Sequence, residues 1–172
     1  DYFQSSLFTI ARRRILWLLI LVLANGLTTK VIAMNDQILK EIVLLAAFIP
    51  LLIGTGGNVG AQSSTVVIRG LSTQKLKSLG AIKAVVKEAI TGALLGVFMM
   101  LVVFPFAWWQ GEGPLIASAV GISLISITTL AATTGAILPL LFDRMKLDPA
   151  LMSSPFITTV TDIAGVFIYL ST

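Results

Sequence analysis

The chain has 172 residues, of which 56% are hydrophobic and 12% are charged, with a formal net charge of +4. Soluble domains carry roughly 25% charged residues, so this composition, with a mean hydropathy of +0.97, excludes an ordinary soluble fold and indicates an all-α integral membrane protein. The absence of cysteine and histidine excludes disulfide frameworks, thiolate zinc sites and Ser-His or Cys-His catalysis. The basic residues lie between apolar runs, which favours lipid headgroups over nucleic acid as their partners.

Five apolar segments follow along the chain, each close to or above the roughly 20 residues that a helix needs to cross a bilayer. They predict five transmembrane helices, at residues 15–33, 38–66, 89–109, 115–142 and 150–172. The connections are short and either charged or turn-forming, and one of them is the basic stretch from Arg69 to Lys87. Residues 1–172 are therefore predicted to form a single membrane domain.

The distribution of lysine and arginine predicts the orientation of these helices. Five crossings place the termini on opposite sides, and basic residues concentrate on the cytoplasmic side of membrane proteins. A cytoplasmic N terminus leaves only Lys30 and Lys40 outside and places the other basic residues inside: Arg12, Arg13, Arg14, Arg69, Lys75, Lys77, Lys83, Lys87, Arg144 and Lys146. Trp108 and Trp109 end the third segment, where an indole ring favours the outer interface. An external C terminus follows.

Pairs of small residues spaced four apart occur in the third and fourth segments. Such pairs let helix backbones approach closely in a membrane, where lipid offers no hydrophobic drive for helix association. The pairs are Gly92 with Gly96, Ala117 with Gly121, and Ala131 with Gly135. They predict helix packing and carry no functional signal.

The second segment contains an unusually polar run, GTGGNVGAQSST, at residues 54–65. Its glycines, Asn58 and its hydroxyl groups are costly at membrane depth unless they face protein or a water-filled path. A phosphate-binding loop is excluded, because the run has no Gly-Lys-Ser/Thr ending and Val59 stands where the third glycine of G-x-G-x-x-G would fall. Two interpretations remain: a close helix crossing made of small residues, or an ion path lined by Asn58 and by backbone carbonyls freed from the helix.

Asp162 is the only acidic residue deep inside an apolar segment. A carboxylate near mid-membrane costs on the order of 3 kcal/mol or more unless water or a cation meets it. On a helix, Thr158, Asp162, Gly165 and Tyr169 share one face. A protonated aspartate that hydrogen-bonds to a neighbouring helix is the alternative to an ion site.

The candidate groups in the second and fifth segments are all oxygen donors. Such donors suit hard cations such as Mg²⁺, Ca²⁺, Mn²⁺ or Na⁺. Mg²⁺ dehydrates reluctantly and is commonly held through its waters by one or two carboxylates. A symmetric dimer with its axis beside the fifth helix would place two Asp162 carboxylates across a shared path.

At these residues the sequence resembles the membrane domain of the MgtE family of magnesium channels. The resemblance covers essentially the whole chain and is carried by PLLIGTGGNVGAQ at 50–62, VVIRGL at 66–71, Lys87-Glu88 with the glycine-bearing third segment, and LDPALMSSPFITTVTDIAGVFIY at 147–169. It implies a homodimer of five-span subunits in the cell membrane, with the pore on the two-fold axis and lined mainly by the second and fifth helices. Asp162 would bind hydrated Mg²⁺ in that pore, and Asn58 would face it. Thr158, one turn before Asp162, would line the same path.

Members of that family usually carry a cytoplasmic N-terminal domain and a pair of CBS domains that sense Mg²⁺ and close the channel. Neither is expected within residues 1–172, so we expect either a membrane-domain fragment or a member without the sensor. Asp1 to Arg14 is then interpreted as the remnant of the helix that connects the sensor to the membrane part.

The preferred hypothesis is a passive divalent-cation channel selective for Mg²⁺, in which the paired Asp162 carboxylates bind the ion weakly enough to let it leave. The alternative is a secondary transporter coupled to Na⁺ or H⁺, although one intramembrane acid per subunit leaves few candidates for a coupling site. A membrane scaffold gives Asp162 no role, and an enzyme is disfavoured because no nucleophile-base pair is visible. Glu88 is either a solvated or Lys-paired residue at a helix end or an inner cation site.

Overall fold

The computed structural model describes residues 7–35, 43–73, 76, 80–109 and 113–172. Five long α-helices lie within these ranges: α1 (Leu7–Met34), α2 (Val43–Ser72), α3 (Ala81–Trp109), α4 (Gly113–Arg144) and α5 (Pro149–Ser171). The same ranges contain no β-strand. The prediction of an all-helical protein is confirmed.

Three of these helices have the length and apolar composition needed to cross a bilayer: Leu45–Ser72, Ala81–Trp109 and Gly113–Arg144. Leu18–Met34 of α1 and Phe156–Ser171 of α5 are shorter apolar stretches. The chain is therefore a multi-pass membrane protein. The first six residues of the predicted connecting helix and residues 38–42 of the second predicted segment lie outside the described residues.

The helices extend beyond the apolar segments at one end of the bundle. α2 continues to Ser72 instead of ending at residue 66, and α3 begins at Ala81 instead of residue 89. Arg69, Lys83 and Lys87, predicted to lie in a connecting stretch, are therefore helical. Helices continue through such positions because the long stems of Lys and Arg run along apolar surface while the charged groups reach water. We call this end, where α2 and α4 end and α3 and α5 begin, the basic end.

α4 is the central helix of the bundle. It packs against α2, α3 and α5, whereas α1 packs only against α5 among the helices described. Its residues Val120, Leu124 and Ile127 are completely buried and belong to an apolar cluster that also contains Leu52 of α2 and Val166 of α5. α2 and α3 touch each other only slightly, so α4 holds them in the bundle.

The predicted small-residue pairs lie at the helix contacts. Both members of all three pairs are buried. A Cβ on Gly92 would lie 2.6 Å from the carbonyl oxygen of Thr128, and a Cβ on Gly96 would lie 2.5 Å from the Cα of Ile125. α3 and α4 are thus in contact through their backbones, which confirms the packing role predicted for these glycines.

Three threonine hydroxyl groups of α4 are satisfied within the helix itself. Thr128 and Thr129 donate to the carbonyl oxygens of Leu124 and Ile125 at 2.7 Å, and Thr133 donates to that of Thr129 at 2.6 Å. Such bonds let hydroxyl side chains reside in apolar surroundings without another partner. These threonines therefore fit into a helix that is apolar enough to cross a bilayer.

α4 ends in a Schellman motif at the basic end. The N–H of Leu147 donates to the carbonyl of Phe142 at 2.9 Å, and the N–H of Lys146 donates to that of Asp143 at 3.0 Å. Lys146 has a φ of 57°, the left-handed conformation that this motif requires and that glycine usually supplies. The turn reverses the chain, so that α5 packs back against α4.

Candidate functional site

The glycine-rich run of residues 54–65 lies inside α2 without a break in the helix. The prediction that this run frees backbone carbonyls for an ion path is therefore wrong. The helix persists because an unpaired peptide group in apolar surroundings costs several kcal/mol, and each helical hydrogen bond avoids that cost. The hydroxyl of Thr65 likewise remains within the helix, donating to the carbonyl of Ala61 at 2.8 Å.

One face of α2 makes the close helix crossing that the small residues predicted. A Cβ on Gly56 would lie 2.7 Å from Cγ2 of Ile127 on α4 and 3.7 Å from the Cβ of Thr161 on α5. A Cβ on Gly60 would contact the Ile157 side chain and lie 3.3 Å from the carbonyl oxygen of Ala131. These two glycines let α2 pack closely against both α4 and α5.

The opposite face of α2 is polar and exposed in the single chain. We call it the polar face, and it consists of Gly54, Asn58, Ala61, Gln62 and Thr65, all of them exposed. Their spacing of four, three, one and three residues places them along one side of a helix. A Cβ on Gly54 would meet no atom within 4 Å. The close helix crossing is thus confirmed on one side of α2, whereas an ion path lined by Asn58 on the other side stays a prediction.

Gln62 was not among the predicted site residues, although a simple signal could have identified it. It stands four residues after Asn58, the spacing at which two side chains lie one above the other on a helix. Both side chains are exposed on the polar face. An amide pair one turn apart in an otherwise apolar helix was the signal in the sequence.

Asp162 lies on α5, on the face predicted for it. Thr158 is exposed, Asp162 is half-buried, and Gly165 and Tyr169 are buried. This face therefore runs from the open surface near Thr158 into the protein near Tyr169, with the carboxylate at the boundary. A hydrogen bond from Asp162 to a neighbouring helix stays an alternative to an ion site.

Asn58 and Asp162 lie at similar depths but on different sides of the contact between α2 and α5. The helices run in opposite directions, with Gly56 beside Thr161 and Gly60 beside Ile157. Asn58 falls between the two glycines, yet two residues from Gly56 correspond to about 200° around a helix axis. Its side chain therefore points away from α5 of its own chain. That Asn58 and Asp162 line one ion path stays a prediction.

A complete protein cage for a metal ion is not formed by one chain. No group of three or more Asp and Glu side chains comes together in the part of the chain that the structure describes. Asp162 supplies a single carboxylate, and oxygen-rich sites for divalent cations draw on more than one group.

Glu88 lies at the basic end, apart from the polar face of α2 and from the face of α5 that carries Asp162. It is half-buried on the second turn of α3 and lines a cavity of about 180 Å³ together with Lys87, Val66 and Gly70. The neighbouring lysine favours the interpretation of Glu88 as a helix-end residue in a mixed-charge surface. Its role as an inner cation site stays a prediction.

The sequence was compared with known proteins. Residues 49–172 match the family MgtE, described as a divalent cation transporter. The magnesium transporter MgtE of Thermus thermophilus is 39% identical over 158 residues, which cover 92% of this chain and 35% of the relative. That of Bacillus subtilis strain 168 is 33% identical over 168 residues, or 97% of this chain and 37% of the relative. The chain thus spans little more than a third of the length of these relatives.

Proposed function

Because this chain belongs to the MgtE family of divalent cation transporters, we propose that it conducts Mg²⁺ through a pore between two identical subunits. The similar proteins of Thermus thermophilus and Bacillus subtilis are named magnesium transporters, which supports Mg²⁺ as the ion. In this proposal all five helices cross the membrane and the ion moves passively down its gradient. The bound Mg²⁺ is cargo and not a resident cofactor.

The proposal of a dimer rests on the polar face of α2. An amide without a hydrogen-bonding partner costs roughly 2–7 kcal/mol in apolar surroundings, and Asn58 and Gln62 both expose their amides on a membrane helix. A second subunit related by two-fold symmetry would meet this face with the same face of its own. The two polar faces would then enclose water instead of facing lipid.

Asp162 would recognise the ion in that enclosed path. Two carboxylates, one from each subunit, attract a divalent cation while leaving most of its waters in place. The carbonyl oxygen of Asn58 and the hydroxyl of Thr158 would accept hydrogen bonds from those waters. Binding through water is weaker than direct coordination, and that weakness allows the ion to leave toward the other side.

The charge distribution supports an orientation with the basic end in the cytoplasm. Arg69, Lys83, Lys87, Arg144 and Lys146 all lie at this end. Lys30 lies at the other end, near the close of α1, and the exposed Trp108 and Trp109 end α3 there. By the positive-inside rule the N terminus is then cytoplasmic and the C terminus external.

Mg²⁺ flux into liposomes tests the ion site. Purified protein is reconstituted with a Mg²⁺ gradient and no Na⁺ or H⁺ gradient, and wild type is compared with Asp162→Asn and Asp162→Ala. The matched control is Asp143→Asn, which removes an exposed aspartate at the basic end. We expect saturable flux in wild type and the control, and a loss of about tenfold or more in both Asp162 variants, the ratio that corresponds to about 1.4 kcal/mol.

Two outcomes of the flux assay would contradict the proposal. Equal flux in all four proteins would remove Asp162 from the ion path. Flux that begins only when a Na⁺ or H⁺ gradient is imposed would replace the channel by a coupled transporter.

Disulfide cross-linking tests the dimer separately, and the absence of native cysteine makes it a clean assay. Ala61→Cys places one thiol on the polar face, and Leu101→Cys places one on an exposed apolar position of α3. We expect oxidation in membranes to give a covalent dimer of the first variant but not of the second. The reverse pattern would place the subunit contact on α3 and refute an axis beside α2.

A further inference from the structure

A groove separates α3 and α4 at the basic end of the bundle. The helices are in backbone contact at Gly92 and Gly96, but nearer the basic end they leave a space of about 330 Å³. Its walls are the apolar side chains of Ile82, Val85 and Val86 on α3 and of Ile137 and Leu141 on α4, with Arg144 at one end. Ligand pockets begin at roughly 300 Å³, so the groove can hold part of a small molecule.

A second cavity adjoins the groove on the side of the helix ends. It measures about 480 Å³ and is lined in part by Ser72, Gly80, Asp143 and Arg144. Ala81 and Arg144 line both spaces, so the two cavities adjoin each other. Apolar side chains make up most of the groove, Arg144 lines both cavities, and Asp143 lines only the second.

These surfaces match the groups in one class of lipid. We propose that the two cavities together bind an aminophospholipid, a lipid with a phosphate diester and a primary ammonium group in its headgroup. An acyl chain would lie in the groove between α3 and α4. The phosphate would pair with Arg144, and the ammonium with Asp143.

The charges of the site favour this lipid over other lipids. The planar guanidinium of Arg144 presents paired N–H donors that fit phosphate oxygens. Asp143 and Arg144 are both exposed, so both groups are open to a ligand. An anionic lipid would satisfy Arg144 but place its negative charge beside Asp143, whereas a zwitterion satisfies both.

The N-terminal end of α3 would also stabilise the phosphate electrostatically. α3 begins at Ala81, which lines both cavities, and the first N–H groups of a helix have no carbonyl partner within it. Those donors and the helix dipole stabilise an anion near the first turn. The effect supplements the pairing with Arg144, because it acts on the same phosphate.

This site is separate from the ion path. Neither Asn58 nor Asp162 lines either cavity. Lipid binding and Mg²⁺ conduction can therefore be tested independently. The variant Asp162→Asn is expected to retain the lipid as wild type does.

Lipid retention measured by native mass spectrometry tests the proposal. Purified protein in detergent is titrated with phosphatidylethanolamine, phosphatidylcholine and phosphatidylglycerol carrying identical oleoyl chains. We expect wild type to retain phosphatidylethanolamine about tenfold better than phosphatidylcholine, since hydrogen bonds to a charged group are the stronger class and the quaternary ammonium of choline donates none. Asp143→Asn is expected to remove this preference, and Arg144→Gln to weaken retention of all three lipids.

A pair of tryptophan variants tests the groove itself. Leu141→Trp fills it, whereas Ile122→Trp changes a residue of similar exposure on the same helix that does not line it, the exposed fractions being 46% and 49%. We expect weaker retention of every lipid in the first variant only. Thermal unfolding of both variants verifies that each is folded.

Three results would overturn the proposal. Equal retention by Leu141→Trp and Ile122→Trp would remove the lipid from the groove. A wild-type preference for phosphatidylglycerol that Asp143→Asn leaves unchanged would replace the aminophospholipid by an anionic lipid held by Arg144 alone. Dissociation of the dimer by Leu141→Trp without any change in lipid retention would make the groove a contact with a second subunit.

Discussion

Gly135→Ala is expected to destabilise the bundle at the crossing of α2 and α4. The added Cβ would contact the carbonyl oxygen of Gly60 and lie 3.1 Å from its carbonyl carbon and 3.2 Å from its Cα. These are backbone atoms of a helix and cannot rotate away, so the helices must separate. Overpacking of this kind costs about 1–3 kcal/mol, and the better helix propensity of alanine returns roughly 0.5–1 kcal/mol. The net loss in the free energy of unfolding is therefore about 0–2.5 kcal/mol.

Titration with a denaturing detergent in mixed micelles, followed by circular dichroism, measures this loss. The matched control is Gly26→Ala on α1, where a Cβ would meet no atom within 4 Å. The control is expected to equal or exceed wild type in stability, by up to roughly 1 kcal/mol from helix propensity alone. If Gly135→Ala and Gly26→Ala unfold at the same detergent fraction, α2 and α4 do not cross at the distance described and the reasoning fails.

Three further substitutions test separate features of the structure. Gly121→Ala is expected to lose less stability than Gly135→Ala in the same titration, because its Cβ would meet the flexible side chain of Met100, with Cγ at 2.6 Å and Sδ at 3.3 Å; an equal loss would contradict this. Lys146→Gly is expected to raise the unfolding free energy by up to about 1 kcal/mol, since it relieves a left-handed non-glycine residue; a loss of stability would show that the lysine side chain matters more than its backbone. Asn58→Leu is expected to lower Mg²⁺ flux into liposomes several-fold, whereas Thr65→Val, whose hydroxyl is committed to the carbonyl of Ala61, leaves it near wild type; the opposite ranking would move the ion path along the polar face.

Sequence patterns predicted the helices and their packing positions well, and the physical reason is the lipid solvent. Apolar runs of bilayer length have few structural options, because every peptide group must be paired within its own segment. Small residues spaced four apart in a membrane helix usually mark a close contact with another helix. Gly92, Gly96 and Gly135 all lie at such backbone contacts. The ends were predicted less well, since α2 and α3 continue past the apolar runs into residues such as Arg69 and Lys83.

Which glycines of the run contact a neighbouring helix, and which are exposed, could not be predicted from the sequence. Gly54 and Gly56 are the same residue type two positions apart, yet the first is open and the second contacts Ile127. Which side of a helix faces its neighbours depends on rotation about the helix axis, and that rotation is set by α4 and α5, far away in sequence. The same rotation turns Asn58 away from Asp162 of its own chain, a relation that no local spacing contains.

The central position of α4 has a consequence for how the protein is made. α2 and α3 take nearly all their contacts from α4 and α5, and α1 takes its contacts from α5. The ribosome completes these partners last, because chains emerge from the N terminus onward. The first three helices therefore lack most of their packing partners until translation passes residue 144. A chain halted before α4 would leave Gly56 and Gly60 of α2 without the Ile127 and Ala131 surface against which they pack.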